Sequence, residues 1–247
     1  MNGRFQDRVA IVTGAAGGIG LATARRLAAE GARIVMADLD VDAANAARPQ
    51  LVVAGARDVL VQGCDVADEA QVEACVAAAL ARFGRVDVMV NNAGIMTFRR
   101  LADLTTADWR RVLGVDLLGA FHFVKQGFRH LGRGGAIVNV SSIHALETEP
   151  RVAPYAAAKA ALVSLTRSAA IEARPLGIRV NAVLPGAIDT PMLWQNPNVR
   201  SGVEQVDRSY VGAPGEVAAA IAFLASPDAA FIQGAALVVD GGRLGRL

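Results

Sequence analysis

The sequence predicts an α/β protein: a single-domain, doubly wound, seven-stranded parallel sheet with helices on both faces. Three observations carry that expectation. Short β-branched, apolar runs alternate with longer helical patterns along the whole chain, the pattern of a parallel sheet covered by helices. Runs such as Val86–Val90 read as continuous apolar strands, the kind that is buried on both faces. Near the N-terminus, Arg8–Gly20 (RVAIVTGAAGGIG) passes from an apolar run through a glycine loop into a helical pattern.

Strands are expected near 8–13, 33–38, 58–63, 86–91, 135–140, 178–184 and 235–239. Helices are expected near 18–30, 41–54, 68–83, 106–130, 153–173 and 214–225. The 247 residues, 53% of them hydrophobic, suffice for one large domain spanning 1–247, with no linker or repeat to divide it. The longest irregular piece, 185–213, holds Met192, Leu193 and Trp194 among polar residues and reads as a lid over a substrate.

Several function classes are disfavoured by composition. A net charge of +2, scattered along the chain, suggests neither a nucleic-acid nor a membrane surface. The two cysteines, Cys64 and Cys75, lack metal-ligand spacing and read as buried small hydrophobes, so no metal site and no disulfide framework is expected. The N-terminus has no signal-peptide core and no apolar run is long enough to span a bilayer, which leads to the expectation of a cytoplasmic protein.

In the first loop, Thr13, Gly14, Gly18 and Gly20 form Thr-Gly-x-x-x-Gly-x-Gly, not the common GxGxxG. Glycines let the backbone turn sharply and approach a ligand, and the N–H groups opening the next helix face an anion. A dinucleotide pyrophosphate suits that arrangement. Asp38 ends the second strand eighteen residues after Gly20, where an acid accepts hydrogen bonds from the adenosine ribose and disfavours a phosphate there. NAD is therefore expected over NADP, although Arg25 and Arg33 keep NADP open, and Asp38 could instead open the next helix, as Asp40 equally could. Asp65 could likewise cap the helix beginning near Asp68, and the amides of Asn91 and Asn92 could hold neighbouring backbone.

Tyr155 and Lys159 are four residues apart on an alanine-rich helix and share a face. A phenol with a pKa of about 10 is a poor base at neutral pH. An ammonium about 4 Å away would stabilise the phenolate by roughly 4 kcal/mol at an effective dielectric of ~20, lowering the phenol's pKa. That would make a general acid/base of an ordinary tyrosine. The bland alternative is an amphipathic pair with the lysine in solvent. Gly14, Asp38, Asp65, Asn92, Ser142 and Pro185 each fall at or just beyond the C-terminal end of a different expected strand, the edge where open α/β sheets bind ligands.

TGAAGGIG, Asp38, Asp65, NNAG at 91–94, Ser142, YAAAK at 155–159, PG at 185–186 and VVDGG at 238–242 together resemble the short-chain dehydrogenase/reductase family. The resemblance runs in order over nearly the whole chain and implies a Rossmann-like fold. It also implies an oxidoreductase that interconverts a secondary alcohol and its ketone. In that reading Tyr155 exchanges the hydroxyl proton, Lys159 lowers the tyrosine pKa and holds the nicotinamide ribose, and Ser142 positions the reacting oxygen; Ser141 is an alternative only if the thirteen-residue offset to Tyr155 is ignored. Gly14, Gly18, Ile19 and Gly20 would cradle the cofactor, Asp65 and Val66 would meet its adenine, and Asn92, Ala93 and Gly94 its adenosine side. Gly186, Ile188 and Thr190 would meet the nicotinamide. The family usually has an asparagine where this chain has Asp116, so Asp116 is expected as a member of the proton relay that lacks the amide donor. His144 is expected to line the pocket, and Glu147, Glu149 and Arg151 to form a polar second wall. A homotetramer built through helices 106–130 and 153–173 is also implied. The alternatives are an NADP-linked carbonyl or 3-oxoacyl reductase and, from another class, a catalytically silent dinucleotide-binding redox sensor.

Overall fold

The structure, a computed structural model, describes residues 3–202 and 205–246. Met1, Asn2 and Leu247 of the expected domain, and Val203 and Glu204 of the expected lid, lie outside the described residues. All seven expected strands form: β1 Val9–Thr13, β2 Arg33–Asp38, β3 Val59–Gly63, β4 Val86–Asn91, β5 Leu131–Val140, β6 Arg179–Pro185 and β7 Ala236–Val239. They make one sheet in the order β3-β2-β1-β4-β5-β6-β7, every pairing parallel. The order reverses between β1 and β4, where Val12 pairs with Val90, and the crevice beyond that junction is where such sheets bind ligands.

Side chains along each strand divide between two cores with period two, as pleating requires. Ala10, Val12, Ile34 and Met36 face one layer, formed with α1 (Gly18–Ala29), α2 (Val41–Val53) and α9 (Pro214–Ala225). Val9, Ile11, Val35 and Ala37 face the other, with α3 (Glu69–Phe83), α5 (Gly119–His130) and α6 (Ala153–Ala173). Cys64 and Cys75 are free thiols buried in this second core. Asp87 interrupts the apolar β4 yet is buried, its carboxylate accepting the Val9 N–H at 2.9 Å and pairing with Arg85.

The capping alternatives resolve by position. Asp40 caps α2 and accepts the Ala43 N–H, while Asp68 caps α3 and accepts from Ala70 and Gln71. The helix expected over 106–130 is not uniform. It runs as α4 (Thr106–Leu113), a widened turn at Gly114–Leu118, and then α5. A widened turn of this kind pushes one residue out of register, and such turns recur at functional sites; here the displaced stretch carries Asp116. Segment 185–213 is also less irregular than expected, with short helices α7 (Pro191–Trp194) and α8 (Pro197–Arg200) and a bridge from Ile188 to Gly212.

Candidate active site

The loop after β1 is shaped by two neighbours. Asn92, immediately after β4, donates from its amide to the carbonyls of Thr13 at 2.9 Å and Gly14 at 3.3 Å. The Thr13 hydroxyl in turn accepts the N–H groups of Asn92 at 2.9 Å and Ala93 at 3.0 Å. Gly14 and Gly18 take positive φ of 62° and 52°. Gly20 lies so close to the loop that a Cβ there would stand 2.0 Å from the Gly14 carbonyl oxygen. No side chain caps α1, whose cap position is Gly17, and a Cβ at Gly17 would meet nothing within 4 Å. A tight glycine turn that opens onto an uncapped helix start fits a dinucleotide pyrophosphate.

A cavity of about 370 Å³ runs from this loop along the C-terminal edge of the sheet. It brings together Gly14, Gly18, Ile19, Asn92, Ala93, Gly94, Ser142, Tyr155, Lys159, Gly186, Ile188 and Thr190. Of the expected site residues, Gly20, Asp38, Asp65, Val66 and Asp116 do not line it. Asp38 lies in a separate shallow depression, its carboxylate accepting from Ala16 N at 2.8 Å and Asp40 N at 3.0 Å. The Asp65 carboxylate accepts from Ala67 N, and Val66 is buried with its carbonyl 3.0 Å from the His122 ring. Arg33 begins β2, at the opposite end of the strand from Asp38, and faces Asp7, so it cannot reach a ribose held by Asp38.

Tyr155 and Lys159 sit one turn apart in α6, and both are buried. The Lys159 ammonium lies 5.4 Å from the centre of the Tyr155 ring and donates to the Val140 carbonyl at 3.1 Å. The solvent-facing alternative for Lys159 does not hold. Ser142 lies two residues beyond the end of β5 and accepts the His144 N–H at 3.2 Å, an arrangement that leaves its O–H as the donor. Ser141 instead donates to the Lys159 carbonyl at 2.8 Å and helps seat α6. His144 lines the cavity, edge-on to Tyr155 at 5.8 Å.

Burial pushes the Tyr155 phenol above its ordinary value; Lys159 pulls it down, Asp116 pushes it up and Ser142 pulls it down. The net lowering expected from the Tyr155–Lys159 spacing is therefore corrected for the protein alone. Lys159 acts in the expected direction, but burial outweighs it. For Lys159, burial opposes the ammonium, yet Asp116 and Tyr155 more than offset this and hold it above the usual lysine range.

Asp116 stands behind Lys159, outside the cavity. Its Oδ2 is 3.1 Å from Lys159 Nζ, and its Oδ1 accepts the Ile95 N–H at 2.8 Å. Burial pushes this carboxyl up, while Lys159 and the Ile95 N–H pull it down. Burial prevails in this balance and holds the carboxyl above its ordinary value.

The outer wall holds residues that the sequence pattern did not single out. Met96, Asn196 and Arg243 line the cavity, and Arg243 donates to Glu149 at 2.9 Å. No local motif marks Arg243, which arrives from the far end of the chain. Met192 and Leu193 line the cavity as expected, whereas Trp194 does not; its indole donates to Asp189 and its ring stacks under Arg208. Arg151 pairs with Asn198, and neither it nor Glu147 lines the cavity.

Comparison with known proteins gives a consistent picture. Residues 14–243 match the short-chain dehydrogenase profile described as enoyl-(acyl carrier protein) reductase. The chain is 47% identical to the cis-4-hydroxycyclohexanecarboxylate dehydrogenase of Sinomonas cyclohexanicum, over 98% of each chain. Among solved structures, levodione reductase superposes with a TM-score of 0.91 at 37% identity, covering 98% of this chain and all of that one. A short-chain dehydrogenase from Burkholderia cenocepacia in complex with NADP gives 0.89 at 34% identity, covering 96% and 98%. A 3-ketoacyl-(acyl-carrier-protein) reductase from Brucella melitensis complexed with NADH gives 0.87 at 34%, covering 97% and 99%.

Proposed function

We propose a specific reaction for this chain, which belongs to the short-chain dehydrogenase/reductase family: NAD-linked interconversion of a small secondary alcohol and its ketone. That it is an oxidoreductase of hydroxyl groups follows from its relatives. The residue roles and the cofactor preference are our reading. The observation that carries it is the placement of Tyr155, Lys159 and Ser142 together in the cavity that begins at the glycine loop.

The dinucleotide, when bound, accepts or supplies the hydride. Gly14, Gly18 and Ile19 hold its pyrophosphate end, with Gly20 allowing the turn. Asn92 fixes that loop from the adjoining strand, and Ala93 and Gly94 supply backbone beside it. Asp65 and Val66 serve the adenine. Gly186, Ile188 and Thr190 supply the opposite wall. Ser142 donates to the reacting oxygen and orients it, and Tyr155 takes up or returns the hydroxyl proton. Lys159 holds the ribose and steadies the phenolate. Asp116 does not touch the reacting atoms; it positions Lys159.

NAD over NADP rests on Asp38, whose charge would face a ribose phosphate, and on the removal of Arg33 from that end of the strand. Relatives with NADP and with NADH keep the NADP-linked reductase as the second reading. For substrate, the cyclohexane-based name of the 47% identical relative and the partly apolar cavity favour a ring alcohol, with segment 185–213 as its lid. Exposed Leu118, Phe121 and Ile171 on the central helices suit the homotetramer. The test is initial rate by nicotinamide absorbance over hydroxycyclohexane carboxylates, cyclohexanols, polyols, hydroxyacyl esters and hydroxysteroids, each with NAD⁺ and NADP⁺. A clear rate on a ring alcohol with NAD⁺ supports the proposal; the best rates with NADP⁺ overturn the cofactor choice, and the best rates on another substrate class overturn the ring-alcohol choice.

A further inference from the structure

We propose that Asp116 is a charge-balancing residue that favours the oxidised over the reduced cofactor, so that the enzyme loads for alcohol oxidation. The inference rests on the dinucleotide reading above and goes beyond it, because nothing in that reading sets the preferred redox form. Oxidised and reduced dinucleotides share every phosphate, ribose and base, and differ chiefly by one positive charge on the nicotinamide ring. Whatever changes the net charge beside that ring therefore moves one affinity and spares the other.

Lys159 places a buried positive charge at the cavity wall. Alone, it would repel an oxidised ring and leave a reduced one untouched. Asp116 cancels it: the two charges are 3.1 Å apart, with side chains 4% and 0% exposed, so water screens neither. Ile95 N–H, at 2.8 Å, holds the carboxylate in that position. Gly94 gives the pair its closeness to the cavity, since a Cβ there would stand 2.9 Å from Asp116 Oδ2 and 3.2 Å from Lys159 Nζ. One glycine backbone thus separates the carboxylate from the cavity that Gly94 lines. The titratable groups facing Asp116 are Lys159 and, beside it, Tyr155. The small space at Asp116 is otherwise bounded by uncharged residues such as Thr13, Asn91, Phe123 and Leu162. The neutral asparagine usual in the family would leave the lysine charge uncancelled, so Asp116 is a departure with an electrostatic consequence.

The experiment measures Kd for NAD⁺ and for NADH by calorimetry, with the unmutated protein and with Asp116→Asn, Asp116→Ser and Asp116→Glu, each checked for a cooperative melt. The ratio Kd(NAD⁺)/Kd(NADH) is expected to rise about tenfold in the Asn and Ser variants. It should stay near the unmutated value in Glu, which keeps the charge. A purely structural role would instead follow side-chain shape and weaken both forms together. If both forms bind and the ratio is unchanged in the neutral variants, the inference is wrong while the dinucleotide reading stands. If the unmutated protein binds neither form, the dinucleotide reading itself fails and takes this inference with it.

Discussion

Lys159 and Tyr155 face each other across a single helical turn, the ammonium 5.4 Å from the centre of the phenol ring, and both side chains are buried at the wall of the cavity. The lysine favours the phenolate, but burial acts more strongly and holds the phenol above its ordinary value. Alcohol oxidation needs the phenolate and ketone reduction needs the phenol, so the two directions should respond oppositely to pH. Oxidation kcat/KM should climb through the neutral and mildly alkaline range, while reduction should be flat there and fall only under more alkaline conditions. Rate profiles in both directions check this; an oxidation profile that falls with rising pH would contradict it.

Thr13 and Asn92 join β1 to β4 at the point where the strand order reverses. Thr13→Val would strand two N–H groups that now share one hydroxyl. Leaving a fully buried donor unpaired costs about 1–3 kcal/mol, and these half-buried donors less. The variant should melt several degrees lower and bind cofactor more weakly, as calorimetry and dinucleotide titration would show.

Lys159→Met would leave the Asp116 carboxylate buried without its ion partner. Breaking a buried pair from one side costs about 3–5 kcal/mol, whereas replacing both partners with apolar groups can be close to neutral. Lys159→Met should therefore be clearly less stable than the double variant Lys159→Met/Asp116→Leu in denaturant unfolding, and both should lose turnover.

Asp38→Ala should narrow the gap in affinity between NAD⁺ and NADP⁺ by removing the charge that the proposed binding mode sets against the ribose. Because Asp38 also accepts from Ala16 and Asp40, Asp38→Asn is the better-controlled comparison. Tighter NADP⁺ binding by the unmutated protein would overturn the role given to Asp38.

Much of this was legible in the sequence, because strand and helix periodicity and the glycine loop are local signals. The seven strands emerge where β-branched runs stand, and Tyr155 and Lys159 share a face because their spacing is that of one helical turn. Asp87 within an apolar run was not legible, since its partner Val9 lies 78 residues away. The widened turn at Gly114–Leu118 also escaped the pattern, which reads apolar periodicity and not a one-residue slip. The net direction of the Tyr155 shift required knowing how deeply the phenol is buried, and spacing alone carries no burial. Arg243 reaches the cavity from 94 residues beyond its partner Glu149, a relationship that only the folded chain displays.

The central claim is that Tyr155 carries the proton transfer, and Tyr155→Phe tests it most directly. The ring and its packing are kept and only the hydroxyl is lost. The reading predicts that turnover falls by about 10²–10⁴-fold while NADH binding, followed by fluorescence, changes little. Turnover within a few-fold of the unmutated enzyme, with the same substrate and cofactor, would contradict it.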